Sequence, residues 1–148
     1  MDITDSLTYH ITKTGNILRQ VTAKRIKRAG INLTPEESVL MNQLWDRDNQ
    51  TLGELGQWSV KDSSTLTRQV DGLVKKGYVE RVHGTEDRRN VFVRLSDSGK
   101  KLKIAFRKTG VANLDQDMIH HSEAEVNKAL TLIMAVRERA LKELHEEC

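Results

Sequence analysis

The stretch that decides the fold is TLGELGQWSVKDSSTLTRQVDGLVKKGYVERVHGTEDRRNVFVRL, residues 51–95. Its pattern predicts a helix, a turn, a second helix, a strand, a basic loop and a second strand. In the second helix, about residues 62–76, an apolar stripe at i, i+4 and i+7 spacing is formed by Leu66, Val70 and Leu73. The opposite face carries Ser64, Arg68 and Lys75, flanked by Thr67 and Asp71. A helix with such a polar face can enter a major groove, which displays donors and acceptors to one helix.

A hairpin follows this helix. Gly77 is expected to end the helix, because glycine tolerates a positive φ. Residues 78–82 and 91–95 are short runs of β-branched and aromatic residues, which favour strands. The loop between them, HGTEDRRN, suits a turn and carries two adjacent arginines. A hairpin with arginines at its tip beside such a helix predicts a winged helix-turn-helix. The alternative is a small helix-plus-hairpin module whose charges only keep it solvated.

Charge is distributed unevenly along the 148 residues. Residues 61–108 contain 13 Lys and Arg against 6 Asp and Glu, residues 111–148 contain 4 against 8, and residues 1–60 contain 7 of each. Positive charge is thus concentrated in the predicted winged unit, which favours phosphate binding. Hydrophobic residues make up 37% of the chain and aromatic residues 4%, so we expect one domain with a mainly aliphatic core.

The one cysteine, Cys148, stands at the end of the sequence. An intrachain disulfide or a cysteine-based zinc site is therefore impossible, as is typical of a reducing compartment. The sequence lacks a signal-peptide pattern and an apolar run near 18 residues, so we expect a cytoplasmic protein with no membrane partner.

Both ends of the chain are predicted to be helical. Residues 3–29 have near-heptad apolar spacing and predict one helix roughly 40 Å long. A helix that long either packs on a partner subunit or is an ordinary core helix. Residues 96–118 predict another helix, weakened at Gly110, with apolar positions at Leu102, Ile104, Ala105 and Phe106. An amphipathic helix then runs from Ser122 with apolar positions that include Leu130 and Ile133.

Helix starts are predicted by capping boxes, in which a Ser or Thr precedes a Glu by three residues. Thr34 with Glu37, Thr51 with Glu54, and Ser122 with Glu125 fit this pattern. Pro35 suits the first position of the first of these helices. That helix is expected to bury Val39, Leu40, Leu44 and Trp45.

Two segments resemble the MarR family (multiple antibiotic resistance regulators). They are SSTLTRQVDGLVKKGYVER, residues 63–81, and DRRNVFVRLSDSG, residues 87–99. They match the family's Ser/Thr-rich start, Thr-Arg, Leu-rich segment ending in Lys-Gly, Asp-x-Arg, strand, Leu-Thr/Ser and Gly. The resemblance implies a mainly α fold with a small two- or three-stranded β wing, in which a winged helix-turn-helix is flanked by long dimerisation helices. It implies an N-terminal dimerisation helix at residues 1–33, a DNA-binding unit at 34–95 and C-terminal dimerisation helices at 96–148, together forming one MarR-type domain.

The resemblance also implies roles for individual residues. The recognition-helix contacts to DNA would be Ser63, Ser64, Thr65, Thr67 and Arg68. Arg89 would enter a minor groove, whose negative potential attracts a planar cation. Asp87 would brace the wing through an arginine, and Arg88 would contact phosphate. Helix capping or a plain surface position are the alternatives for Ser63 and Thr67.

The sequence also contains candidate ligand and metal sites. In the family, small anionic aromatic ligands bind between the winged unit and the dimer helices. Ile17, Met41, Trp45 and Phe106 could line such a cleft, although core packing is the simpler interpretation. His120 and His121 diverge by about 100° on a helix, so a zinc site would need His10 or His145 of a second copy. The alternative is that these histidines are exposed or cap a helix, and we expect no metal and no cofactor.

Redox and catalytic roles are not expected. Peroxide-sensing members of the family have a reactive cysteine in the first helix, and this chain has none there. Cys148 follows two glutamates, which disfavour its thiolate, so a thiol switch is not expected. The sequence contains no nucleophile elbow, P-loop, GxGxxG or HExxH motif, and we predict that the protein is not an enzyme.

Two functions remain open from the sequence. The first is a sequence-specific regulator of transcription, a homodimeric repressor on a pseudo-palindromic double-stranded DNA site, released by a small aromatic or anionic ligand. The second is a helical dimerisation or protein-interaction module with only non-specific affinity for nucleic acid. RNA binding is disfavoured by the scarcity of aromatics for base stacking. The salt dependence of binding to specific and random duplexes separates the two main hypotheses.

Overall fold

The computed structural model describes residues 1–57 and 63–146. The helices within these ranges are α1 (Leu7–Arg28), α2 (Pro35–Asp46), α3 (Leu52–Gly56), α4 (Ser63–Lys75), α5 (Asp97–Arg107), α6 (Leu114–Met118) and α7 (Glu123–His145). The strands are β1 (Gln50–Thr51), β2 (Val79–His83) and β3 (Val91–Leu95). The predicted turn at residues 59–62 and Cys148 lie outside the described residues. The mainly α fold class with a small β wing is confirmed.

The chain divides into two compact units, Met1–Ala112 and Asn113–Cys148. The core of the first unit is aliphatic, as the composition predicts, and consists of Ile26, Ile31, Leu33, Leu40, Met41, Leu44, Leu55, Leu66, Val70, Leu73, Val79, Val93, Leu95 and Phe106. In α7 of the second unit, by contrast, none of the described side chains is buried.

The sheet is antiparallel in the order β1-β3-β2, with Val79 paired to Leu95 and His83 paired to Val91. The second strand begins at Val79 rather than at the predicted Tyr78. Tyr78 instead closes the end of α4, because its N–H donates to the carbonyl of Leu73 while Gly77 takes a φ of 80°. The two-residue β1 makes the sheet three-stranded, within the two or three strands expected, although its position was not predicted.

The helices at residues 3–29 and 96–118 differ in their bounds from the prediction. A 3-10 turn occupies Ile3–Asp5, and α1 begins only at Leu7, where the Ser6 hydroxyl accepts the N–H of Tyr9. At the other end, α5 stops at Arg107, and a 3-10 turn at Gly110–Asn113 precedes α6. The buried Thr109 hydroxyl donates to the carbonyl of Phe106 at 2.7 Å, which replaces the next helical hydrogen bond.

Three predicted apolar positions are wrong. Val39 is 52% exposed, Ile104 is 67% exposed and Ala105 is exposed as well, so none of them belongs to the core. In α2 the buried stripe runs through Glu37, Leu40, Met41 and Leu44, which are spaced i, i+3, i+4 and i+7. Leu40 and Leu44 are therefore buried as predicted, whereas the remaining inward positions include a glutamate, which a hydrophobic count could not assign to the core.

The capping boxes are confirmed at Thr34 with Glu37 and at Ser122 with Glu125, where both reciprocal hydrogen bonds are present. At the start of α3 the Thr51 hydroxyl accepts the N–H of Glu54 at 3.1 Å. Each cap satisfies backbone donors that the first turn of a helix leaves without an intrahelical partner.

Candidate nucleic-acid interface

The recognition helix α4 has one buried and one outward face, as predicted. Leu66, Val70 and Leu73 are buried, while Ser63, Ser64 and Arg68 are exposed. Thr65 and Thr67 are partly buried beside them. The structure therefore brings the five predicted contact residues of this helix to its N-terminal half.

Hydrogen bonds within α4 limit what these side chains can offer. Thr67 donates its hydroxyl proton to the carbonyl of Ser63 at 2.8 Å, so towards DNA it can act only as an acceptor. One guanidinium nitrogen of Arg68 donates to the Thr65 hydroxyl at 3.3 Å. A guanidinium has five N–H donors, so Arg68 keeps most of its donors for bases or phosphates.

An ion pair connects α4 to the hairpin. Arg81 on β2 lies 2.6 Å from the Asp71 carboxylate on α4. The sequence showed Asp71 only as a residue beside the outward face, because its partner is ten positions away in another element. The pair links the recognition helix to the base of the wing.

The wing loop between β2 and β3 is tightly folded. The Gly84 N–H donates to the carbonyl of Asn90 at 2.8 Å, and the Asn90 N–H donates to that of Asp87 at 3.1 Å. A Cβ atom on Gly84 would lie 2.7 Å from the Asp87 carbonyl, so a larger residue does not fit there. Nδ1 of His83 lies 2.9 Å from the Arg88 carbonyl and must donate, since a carbonyl only accepts. His83 was not among the predicted site residues.

Asp87 and Arg89 come together in this loop, as the predicted brace requires. One Asp87 carboxylate oxygen accepts the Arg89 N–H at 3.0 Å and its Nε–H at 3.2 Å. The other accepts a terminal guanidinium nitrogen of Arg89 at 3.3 Å. The Arg89 side chain nevertheless remains 91% exposed. Arg89 is therefore oriented before any partner binds, and the neighbouring Arg88 is exposed as well.

The hydrogen bonds from the Arg89 side chain, followed by that from its backbone, hold the pKa of Asp87 below its ordinary value of 3.8. A lowered carboxyl pKa means that the pairing is fully present above the ordinary value and is lost as the pH falls through the lowered one. We expect the Nε chemical shift of Arg89 to stay constant from pH 7 to 5 and to change only below pH 3.8. The Arg88 shift serves as the control, and a change centred near neutral pH would contradict the assignment.

The predicted effector residues are placed differently from one another. Met41 and Phe106 are buried in the core of the first unit. The Trp45 ring lies 5.4 Å from that of Phe106, and its N–H donates to the Gly99 carbonyl at 2.9 Å. These contacts fit the simpler interpretation of core packing, whereas Ile17 is half exposed on α1.

Two of the four histidines considered for zinc have backbone partners. Nε2 of His120 lies 3.0 Å from the Asp117 carbonyl, and Nε2 of His10 lies 2.7 Å from that of Thr4. Within residues 1–57 and 63–146, no cluster of three or more His, Cys, Asp or Glu side chains could hold a metal ion. In the same ranges, no helix combines the length and apolarity needed to cross a membrane.

Comparison with known proteins gives a consistent result. Residues 33–91 match the model of the MarR family. The organic hydroperoxide resistance transcriptional regulator of Bacillus subtilis (strain 168) is 29% identical over 73 residues, which are 49% of this chain and 50% of that relative. The HTH-type transcriptional repressor YetL of the same organism is 27% identical over 113 residues, 75% of this chain and 68% of YetL. The chain thus spans half of the first relative and about two thirds of the second.

Among solved structures, AbfR of Staphylococcus epidermidis, in its reduced form bound to DNA, superposes with a TM-score of 0.72. The match covers 97% of this chain and 95% of AbfR at 23% identity. At this identity the likeness establishes the fold.

Proposed function

Because this chain belongs to the MarR family, we propose that it is a homodimeric transcriptional repressor that binds a pseudo-palindromic site in double-stranded DNA. The curated relatives are named as transcriptional regulators, which are not enzymes. Release by a small aromatic or anionic ligand and location in the cytoplasm belong to the same proposal.

One observation carries the proposal: an exposed donor face on α4 stands beside a wing whose arginine is already oriented. Arg68 on α4 and Arg89 on the wing are both exposed cations, and each is held by a neighbouring side chain. A helix can read donors and acceptors in the major groove, while an arginine suits the narrow minor groove beside it. A surface whose charges only kept the protein solvated would not need two contacts suited to two different grooves.

The proposed roles of the segments are those expected from the sequence. We assign DNA contact to residues 34–95 and dimerisation to residues 1–33 and 96–148. Much of α1 is exposed in the single chain, including Leu7 and Ile17, and α7 has no buried side chain among its described residues. Exposed apolar helices of this kind favour pairing with a second copy.

The test is selection of duplexes from a random library by the full-length chain, followed by titration at several salt concentrations. We expect the selected duplex to bind with at least a thousandfold preference over a random duplex, and the preference to persist as salt rises. A preference that disappears with salt would instead support the alternative, an interaction module with only non-specific affinity for nucleic acid.

Arg68→Ala is expected to weaken binding to the selected duplex by roughly 1–3 kcal/mol per half-site if Arg68 contacts a base through two hydrogen bonds. If it contacts only phosphate, the loss should be similar on all duplexes and the salt slope should fall by about one. Arg107→Ala is a matched control, because it removes an exposed cation from the end of α5. Unchanged affinity and slope for Arg68→Ala would remove this residue from the interface.

A further inference from the structure

Glu37 is a buried acid that the proposed DNA contacts do not use. It lies on α2 and is 5% exposed. One carboxylate oxygen accepts the Thr34 N–H at 2.9 Å, within the capping box, and the Lys76 ammonium at 2.5 Å. Lys76 stands immediately after α4. The capping box alone would not need a lysine from 39 residues away.

Gly72 shows that α4 is shaped around this carboxylate. A Cβ atom at position 72 would lie 2.7 Å from the second oxygen of Glu37, which is too close for a methyl group. Gly72 and Lys76 are four residues apart, so they lie on the same face at the end of the helix. The carboxylate therefore sits against bare backbone, and the lysine reaches it from the next turn.

We propose that Glu37, Gly72 and Lys76 form a latch, a contact that fixes the angle of the recognition helix and makes Glu37 and Lys76 positioning residues for sequence discrimination. The inference rests on the proposed DNA-binding function. In the latch, α2 holds the C-terminal end of α4, while Ser63 to Arg68 at the other end reach the bases.

The physical reason is the directionality of the contact. The apolar stripe of α4 holds the helix by burial, which is non-directional and tolerates a small rotation. A short charge-assisted hydrogen bond fixes both distance and direction. The pair is also shielded, with side chains 7% and 23% exposed, whereas those of Asp71 and Arg81 are 50% and 32% exposed. A buried pair of this kind is better evidence for a specified geometry than for added stability.

A rotated recognition helix would affect bases and phosphates differently. Hydrogen bonds to base edges weaken steeply when their angles change, whereas a flexible cation can follow a displaced phosphate. Loss of the latch should therefore lower affinity for the selected duplex and leave affinity for a random duplex unchanged. The salt slope should also stay unchanged, because the number of phosphate contacts is the same.

The test uses Glu37→Gln and Lys76→Met in the full-length chain, with the duplex selected by the wild type and a shuffled duplex of equal composition. Glutamine can still serve in a capping box, and methionine keeps the length of the lysine stem, so each variant removes mainly the charge. We expect each to lower the preference for the selected duplex roughly tenfold, within the range for a lost base contact. The double variant should lose no more than either single one, because both break the same contact.

Lys101→Met is the matched control. Lys101 is an exposed lysine on α5, away from the outward face of α4, and its loss should leave the preference between duplexes unchanged. Lys76→Arg should recover part of the preference, since the guanidinium can still donate to Glu37. Gly72→Ala should lower the preference with both charged residues intact, because its methyl group would displace the carboxylate.

Several results would overturn the latch. Folded Glu37→Gln or Gly72→Ala protein with a wild-type preference would show that the contact does not orient the helix. Equal losses for Lys76→Met on both duplexes, with a lower salt slope, would make Lys76 a phosphate contact instead. A wild type without any preference would refute the proposed function itself, and so is distinguishable from failure of the latch.

Discussion

Leu130→Asp should convert the protein from a dimer to a monomer at micromolar concentration and abolish DNA binding. Leu130 lies on α7 and is 51% exposed in the single chain, and Ile133 one turn later is 39% exposed. Both line a groove with Ile119, Val126 and Ala129 in the C-terminal unit. An apolar face of this extent is typical of an interface between subunits.

The effect should be large because each subunit of a two-fold dimer contributes one new carboxylate to the interface. Moving a charge from water into an interface where it has no partner costs several kcal/mol. For comparison, a buried ion pair that loses one partner costs on the order of 3–5 kcal/mol. The lost leucine contacts add to that loss in both subunits. Sedimentation measures the change directly, and a recovery of dimer when the position carries Met would confirm that burial is the cause.

Arg139→Asp is the control for the added acid. Position 139 is nine residues beyond Leu130, which is half a turn around the helix at 100° per residue. Arg139→Asp should therefore leave the sedimentation coefficient unchanged. A Leu130→Asp protein that remained a dimer and bound DNA normally would exclude this face of α7 from the interface.

The parts of the fold that follow local rules could be predicted from the sequence. A capping box joins residues three apart, so Thr34 with Glu37 and Ser122 with Glu125 are visible in the sequence itself. The buried stripe of α4 and the hairpin follow in the same way from periods of 3.6 and 2. The order of elements around the site was therefore predictable.

Contacts between distant residues could not be predicted in this way. The buried face of α2 includes Glu37, whose carboxylate is paired with Lys76 from 39 residues away. A hydrophobic count places a glutamate outside and so favours Val39 for the core. Likewise, the end of α5 depends on the buried hydroxyl of Thr109 rather than on Gly110 alone.

The charge count also includes cations that lie away from the wing tip. Of the 13 cations in residues 61–108, five lie on or just beyond α5: Lys100, Lys101, Lys103, Arg107 and Lys108. This helix starts at the open end of the hairpin, where the hydroxyl of its cap Ser96 donates to the Gly77 carbonyl at 2.5 Å. The wing tip with Arg89 is at the opposite, closed end. A net charge along the sequence cannot distinguish these two ends.

Arg89→Ala should strongly weaken binding to the selected duplex, and the reason lies in Asp87. Removing Arg89 deletes a cation and also leaves the Asp87 carboxylate without the guanidinium that it accepts from. That unpaired negative charge would then face the phosphates, so repulsion adds to the lost contact. Both effects occur once in each subunit. We expect roughly a hundredfold loss for each half-site of the selected duplex, equivalent to about 2.7 kcal/mol.

Asp87→Asn separates the two contributions. It removes the acid while keeping Arg89, so the wing cation is less restrained but not opposed. We expect this variant to lose much less affinity than Arg89→Ala. The double variant, which combines both changes, should bind DNA more weakly than Asp87→Asn but more tightly than Arg89→Ala alone. If the double variant bound no better than Arg89→Ala, the unpaired carboxylate would have no effect of its own.

The position of the loss along the DNA provides the sharpest test of Arg89. When α4 fills a major groove, the wing of the same subunit can reach only the flanking minor groove. A two-fold dimer should therefore select half-sites centred roughly 10 bp apart, or a multiple of that, with A·T-rich outer flanks. Arg89→Ala should remove the preference for A·T at the flanks and leave the preference at the inner bases unaffected. Arg89→Lys should recover more of the affinity than of the flank preference, because an ammonium is more strongly hydrated than a guanidinium. Binding to duplexes varied only at the flanks measures this, and an equal loss on every flank would leave Arg89 a plain phosphate contact.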